Sequence, residues 1–566
     1  GKMASSMSTR CAGIPASPFA NIGDTVEMIG GTSGTKTLVE GTSYILASQL
    51  FMPDGTVLTI QPGVTIYALP PADTSVYAPV TGGAPAVVIE KGARIEAAGT
   101  AAKPITMTTI LAESALYDEG TAESDTTRSA IIVGARGKWG GLILLGTAPT
   151  STATTKTVEG ITGKSYGGTD AADNSGTLQY VRVWHGGAVI GADNEINGIT
   201  FAGVGSGTTV DHCEVAYNAD DGFEFFGGTV NVKHLSVLFS GDDSFDSDEG
   251  YQGKGQFLFT MLGSQGDHGT ELDSDAKDCS GSSVKNSQPR SHPQFYSMTI
   301  IGSGSLKGTK GSELMHLNDG TGGAFVNTVL TNPTNLGVLF DDCTATSTPT
   351  QTMPSPGTSI GSVGGAATEG YLYFSSQNII AGAAAAAPAD YTSKGSTYSF
   401  TCGSSCAFAT VAKDGTTTCT VSNLGSMSAV AADPKLQGGD YSEDSKVPVD
   451  PRPACNGPAY ENVGSATDGF FDTVTYKGAF GATNWLDGWS IMNTPLHPGF
   501  VSSSYTCPNQ GTSPPLSLCG DVSSDTTWYF GPIYVLACQV HVKAGATLSI
   551  QAGVTIYATP EDTSGK

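Results

Sequence analysis

The sequence predicts an all-β solenoid, a single-stranded parallel β-helix interrupted by loop insertions. Three observations point there. A coil-sized segment repeats at an offset of 22 residues, apolar and polar positions alternate with the two-residue period of strands, and no 3.6-residue periodicity is sustained. Composition agrees. Glycine fills 75 of 566 positions, only 14% of residues are charged, and a hydrophobic share of 39% with 21 Phe and 20 Tyr is too rich for a disordered chain.

In chain order, residues 1–40 read as an N-terminal segment or cap, and their opening GKMASSMSTR has no apolar signal core. Residues 41–380 read as the β-helix. Val57-Leu-Thr-Ile-Gln-Pro-Gly-Val-Thr-Ile-Tyr67 and Val87-Val-Ile-Glu-Lys-Gly-Ala-Arg-Ile-Glu96 are each two short strands around a Gly turn. The 22-residue repeat sets Thr209 to Glu224 above Asn231 to Asp246, so that Val210 matches Val232, Cys213 matches Leu235, Val215 matches Val237 and Phe223 matches Phe245. Three short strands joined by turns make a coil of that length, each coil about 4.8 Å above the last. On this alternation Cys213 faces inward as a small hydrophobe, while His212 over His234 faces outward as a stacking ladder.

Residues 381–460, with Ala383-Ala-Ala-Ala-Ala387, many Ser and Thr, and Cys402, Cys406, Cys419 and Cys455, read as a disulfide-stitched insertion. Residues 461–530 include the aromatic runs Phe470 to Phe480 and Thr483 to Trp489, read as a covering segment for the solenoid. Residues 531–566 read as the start of a second β-helix module. Tyr44 to Ala68 reappears as Tyr534 to Ala558 at an offset of 490, with Leu58 to Ala68 nearly identical to Leu548 to Ala558. That closeness exceeds the resemblance of one coil to another and argues for duplication of a whole module.

A net charge of −25 repels phosphate backbones and anionic lipid, so nucleic acid is excluded as a partner. No apolar run approaches the roughly 18 residues of a transmembrane segment. Low Lys, high Thr, Ser and Gly, and clustered cysteines suit an extracellular or cell-surface location. No Cys-x-x-Cys pair or zinc spacing occurs, and nothing in the sequence calls for an organic cofactor.

The chemistry concentrates between Asp220 and Asp278. If 22 residues make one coil, Asp221 stacks on Asp243 and Glu224 on Asp246, and each such pair repels by about 3 kcal/mol at an effective dielectric near 20. A hard cation, raised carboxyl pKa values or turn amides must compensate. The metal reading assigns calcium to Asp220, Asp221, Glu224, Asp242, Asp243, Asp246 and Glu271. An enzymatic reading competes. Asn218-Ala-Asp-Asp-Gly222, Gly241-Asp-Asp-Ser244 and Gly266-Asp-His-Gly269 resemble the catalytic succession of polygalacturonase-type glycoside hydrolases. That resemblance implies Asp221 with Asp242 or Asp243 as general acid and base, and His268 as the neighbouring histidine. The family's Arg-x-Lys clamp has no counterpart where Ser297-Met-Thr-Ile-Ile301 stands, so an acidic sugar would meet an anionic groove. A lyase would use Lys254 or Arg290 as base.

Asn194-Glu-Ile-Asn-Gly-Ile-Thr-Phe201, Asp220-Asp-Gly-Phe-Glu-Phe-Phe-Gly-Gly228, Asp242-Asp-Ser-Phe-Asp246 and Tyr476-Lys-Gly-Ala-Phe480 resemble a group of secreted right-handed parallel β-helix surface proteins of bacteria and algae. The resemblance implies an all-β, single-stranded right-handed parallel β-helix (solenoid) with loop insertions, and an extracellular place for it. The expected function is a structural or assembly module of a filament or coat built from tandem β-helix repeats, self-associating head to tail and stabilised by calcium. The alternatives are a carbohydrate-active enzyme, either glycoside hydrolase or polysaccharide lyase, and an adhesin that binds polysaccharide through Trp485 or Trp489.

Overall fold

In the computed structural model the described residues are 25–70, 83–111, 135–151, 155–158, 161–188, 196–274, 289, 291–304, 313–317, 321–342, 372–381, 408–412, 430–501 and 516–558, with short gaps inside some of these spans. The chain winds as a parallel β-helix. Three ladders of parallel strands run through it, and apart from 3-10 turns at Pro458–Tyr460 and Ile491–Asn493 no helix occurs among the described residues. The ladders already include Val26–Thr32 and Lys36–Leu38, which pair with Ser43–Met52 and Val57–Ile60, so coiling begins inside the segment read as a cap.

The 22-residue offset is one coil. Strand Thr209–Ala216 pairs with Asn231–Leu238 at Val210↔Val232, Cys213↔Leu235 and Val215↔Val237, and Phe223–Phe226 pairs with Phe245–Asp248 at Glu224↔Asp246. Inward positions form one continuous apolar interior in which like lies on like. Phe201 stacks on Phe225 at 5.3 Å, Phe223 on Phe245 at 5.8 Å, and Phe225 on Tyr251 at 4.5 Å. Cys213 belongs to that interior as a free thiol, and burial pushes its pKa up to about 12.

Each long strand bends once. Tyr180, His212, His234, Phe257, Ser297 and Asn327 occupy the bend of successive coils, all with φ between 48° and 61°. A bulky residue in this left-handed region costs about 1 kcal/mol or more. Stacking offsets it, because the first four side chains form a column at 4.5, 4.1 and 4.6 Å between ring centres, each contact worth about 0.5–1.5 kcal/mol. At the next corner Gly222 is required by contact, since a Cβ there would lie 2.6 Å from both the Ser244 carbonyl oxygen and the Val237 side chain.

Residues of the aromatic segment lie against the outside of the second ladder. Phe480, Leu486, Trp489, Ile491 and Met492 pack on Trp184, Ala216, Leu238, Phe259, Met261 and Ile301. Trp485 meets the rings of His212 and His234 edge-on, so the histidine column read as outward-facing is half-buried beneath the cover. Cys402, Cys406 and Cys419 lie outside the described residues, and Cys455 is buried.

A carboxylate latches the cover. Glu214, wholly buried, accepts hydrogen bonds from Trp184 Nε1 at 3.0 Å and from the Ile491 amide at 2.8 Å, while Arg182 Nη1 donates to the Trp489 carbonyl at 2.6 Å. Burial raises the Glu214 pKa from 4.5 to about 7, against the opposing pull of Ser490, Ile491, Arg182 and Trp184. The folded chain therefore holds a proton that the unfolded chain releases. The stability of wild type relative to Glu214→Gln should be greatest below about pH 4.5, fall by up to about 3 kcal/mol as pH rises to about 7, and stay flat above. Equilibrium denaturation of both proteins across that range checks it.

Candidate functional site: two polar columns

The register of the third ladder gathers the acidic residues into two columns. In this ladder Ile199, Phe223, Phe245, Thr270 and Met315 stack in succession. Two positions before each stands one column: Asn197, Asp221, Asp243, His268 and Glu313. One position after each stands the other: Thr200, Glu224, Asp246, Glu271 and His316.

The inner column is linked coil to coil. The Asp243 amide donates to Asp221 Oδ1 at 2.9 Å, and the His268 amide donates to Asp243 Oδ1 at 2.6 Å. His268 Nδ1 lies 2.9 Å from the same Asp243 oxygen, and its Nε2 lies 3.6 Å from Glu313 Oε1 and 3.7 Å from Asp267 Oδ1. Burial alone would lower the His268 pKa, but Asp243, Glu313 and Asp267 carry it well above the ordinary histidine value. In the outer column, Asn197 Nδ2 donates to Glu224 Oε2, and His316 Nδ1 lies 3.0 Å from Glu271 Oε1. His316 holds Glu271 below the usual carboxylate range despite burial. Asp221 and Asp246 go the other way. Burial, then neighbouring carboxylates, pushes both well above it.

Oxygen atoms of Asp221, Glu224 and Asp246 lie within 4.8 Å of one another, and so do those of Asp220, Asp221 and Asp242 at the turns. The assigned metal set thus divides. Asp243 and Glu271 are engaged by histidines, leaving two oxygen clusters that meet at Asp221. The residues of the enzymatic reading also meet, since Asp221, Asp243 and His268 follow one another in a single column, with Asp242 in the adjoining turn. All three column members are buried. Lys254 is not available as a base, being bound to Asp468 at 2.5 Å, and Arg290 lies outside the described residues. Trp489 is wholly buried and offers no platform for a sugar, while Trp485 is partly buried in the same cluster.

Asn197, Glu313 and His316 escape a reading at a constant offset of 22, because the coil from Ile199 to Phe223 is longer by two, the coil lengthens again after Asp243, and the segment before Glu313 is longer still. A local signal was present. The i, i+3 polar pairs Asp221/Glu224, Asp243/Asp246, His268/Glu271 and Glu313/His316 mark the same corner of four coils. Asp211, His212 and His234 form a third ion-sized group, with both ring Nδ1 atoms 2.8–2.9 Å from Asp211 Oδ1. Their rings are stacked 4.1 Å apart and 20° from parallel, and both Nδ1 atoms face the one Asp211 oxygen.

The histidines are distinguishable in solution. Burial lowers the His185 pKa to about 3, and its Nδ1–H donates to the Ala135 carbonyl. Nuclear magnetic resonance of histidine-labelled protein should find His185 neutral and His268 protonated at pH 7. A neutral His268 would mean that the Asp243 carboxyl holds the shared proton.

Among the described residues no helix is long and apolar enough to cross a membrane. No curated protein and no solved structure matches the chain. A family model described as a pectate-lyase-like beta helix domain matches residues 30–355, more than half of the chain and the span that carries both polar columns. With its continuous parallel ladders, the chain belongs to the pectate-lyase-like β-helix family.

Proposed function

We propose that this chain is a structural module of an extracellular or cell-surface assembly in which β-helices repeat along a filament or coat. The repetition of the first coils at 516–558 carries this reading. Val26–Thr32, Ser43–Met52 and Thr65–Ala68 pair in sequence, as do Leu516–Val522, Tyr534–Val542 and Ile556–Ala558. Tyr44↔Ile66 corresponds to Tyr534↔Ile556 and Lys36↔Leu58 to Thr526↔Leu548, while the first strand is displaced by one residue, with Glu27↔Tyr44 answered by Leu516↔Tyr534. Even the irregularity after Ile29 returns after Leu518.

One difference separates the copies. Met52, Ile60 and Ile66 are 0–2% exposed beneath the next coil, whereas their counterparts Val542, Ile550 and Ile556 are 48%, 50% and 37% exposed. The second copy thus presents an apolar coil interior and strand edges of the kind that a following coil covers in the first. A further coil of the same kind would cover these side chains, and head-to-tail contact of that type is heterologous and propagates.

The alternative is a β-helix enzyme acting on a polysaccharide, favoured by the adjacency of Asp221, Asp243 and His268. Burial of that column weighs against it. Sedimentation velocity and electron microscopy of the full chain, beside the chain without residues 516–566, test the assembly. The full chain should form concentration-dependent, end-on oligomers and the shortened chain should remain monomeric. Monomers in both cases, with polysaccharide cleavage lost in Asp243→Asn, would replace assembly with catalysis.

A further inference from the structure

The cover is seated on one column of the second ladder. Thr106, Arg182, Glu214, Ser236, Phe259 and Thr299 occupy the same position in successive coils. Four of them hold the cover. Arg182 Nη1 donates to the Trp489 carbonyl, Glu214 accepts from the Ile491 amide, Phe259 meets Phe480 edge-on at 4.8 Å, and Thr299 Oγ1 accepts from the Ala479 amide at 2.8 Å.

The fastenings differ along the cover. Residues 464–479 are tied by Asn327 to Gly464, Lys254 to Asp468, Lys233 and Gln256 to Asp472, and Thr299 to Ala479. On the far side, Phe500 bridges Val449 and the Val501 amide donates to the Val449 carbonyl. Between these anchorages residues 484–494 contain no strand. The Arg182 and Glu214 bonds and the burial of Leu486, Trp489, Ile491 and Met492 hold them to the ladder.

The Glu214 carboxyl is bonded on one side only. Trp184 Nε1 and the Ile491 amide both donate to Oε1, while Oε2 is shielded from solvent and has no hydrogen-bond partner among the described residues. Ser236 Oγ, next in the column and wholly buried, is likewise without a partner. A carboxylic acid has a proton to donate to that hydroxyl, whereas an ionised Oε2 stands desolvated with no donor. Charged groups on the packed elements are engaged elsewhere. Arg182 bonds Thr106 and Trp489, Lys233 bonds Asp472, His212 and His234 face Asp211, Asp487 accepts from Asn493, and His497 bonds Tyr217. The Arg182 charge favours ionised Glu214, and burial outweighs it.

We propose that residues 484–494 are a proton-operated strap, closed over the second ladder while Glu214 is protonated and opening more often once it ionises, with the coils beneath left intact. Opening uncovers part of the apolar face that Trp184, Ala216 and Leu238 form. The strap's four buried side chains keep the closed form dominant throughout, so the proton sets how often it opens. The device acts within one chain and is independent of head-to-tail assembly. Its sign follows from burial, which raises Glu214 from 4.5 to about 7 in the closed form, while opening returns it to water. Closure is therefore favoured most below about pH 4.5, loses that advantage as pH rises to about 7, and is unchanged above.

Hydrogen exchange with mass spectrometry on the full chain, wild type beside Glu214→Gln, tests the strap from about pH 4.5 to 8. The variant is neutral at every pH. Its exchange therefore carries base catalysis and the opposing effect of His234, whose pKa burial lowers. The opening constant of peptides within 484–494, as the ratio of wild type to variant, should rise up to about 300-fold between pH 4.5 and 7 and then level off. Peptides of 209–216 and 231–238 should stay protected in both proteins. If Glu214→Gln fails to fold, Trp184→Phe takes its place. With one donor to the carboxylate gone, its strap opening should go on rising above pH 7, where wild type is flat.

Two results would overturn the proposal. A ratio constant across pH, or a Trp184→Phe profile that levels off with wild type, would mean that opening does not change the protonation of Glu214. Loss of protection in strap and ladder peptides together would make the proton a fastening of the whole fold, with no separate strap.

Discussion

The stacking of one coil on the next in parallel register governs this molecule. A parallel ladder holds each residue about 4.8 Å from its counterpart one coil away, so whatever the sequence writes at a position is written as a column. Aliphatic and aromatic columns inside are stabilising without further provision, as the stacked Phe201 and Phe225 illustrate. Elsewhere the same rule creates difficulties that the chain must solve locally.

Three columns show three solutions. At the bend, Tyr180, His212, His234 and Phe257 take a left-handed conformation that their stacked rings sustain, and Trp485 closes over the histidines. On the outer face of the second ladder, apolar side chains that would meet water lie beneath Phe480, Trp489 and Ile491. At the third-ladder corner, carboxylates stack on carboxylates, and imidazoles relieve them only from Asp243 onward. This last column gathers the ionisable side chains of the third ladder. Its members are buried at Asp221, Asp243, His268 and Glu313 and half-buried at Asp246, Glu271 and His316.

Much of this was legible in the sequence wherever the coil length stays constant. The 22-residue offset placed Val210 on Val232, Asp221 near Asp243 and Glu224 on Asp246, all of which the ladders bear out. The aromatic runs were read as a cover because so many large rings need a surface to bury them, and Phe480, Trp485 and Trp489 do pack on the second ladder. Legibility failed where insertions change the coil length. Glu313 and His316 join the columns across 275–312, where no fixed offset reaches them. It failed as well at Glu214, a glutamate on an alternating strand that sequence marks as solvated. Its burial depends on Trp184 and on a segment some 277 residues away.

The large-scale repeat links this internal logic to the proposed role. Residues 516–558 reproduce the strand order and irregularity of the first coils and, apart from a one-residue displacement of the first strand, their register, and they leave exposed Val542, Ile550 and Ile556, whose counterparts the first coils bury. Replacing residues 26–68 by 516–558 and following thermal unfolding by circular dichroism, with limited proteolysis beside it, tests most directly whether the second segment is a true copy. If it is, Val542, Ile550 and Ile556 take the interior places of Met52, Ile60 and Ile66, and the chimera melts cooperatively, within several degrees of the parent, with its first coils protected. A chimera whose grafted coils are digested while the remainder stays folded would contradict the duplication on which the account of a repeating module rests.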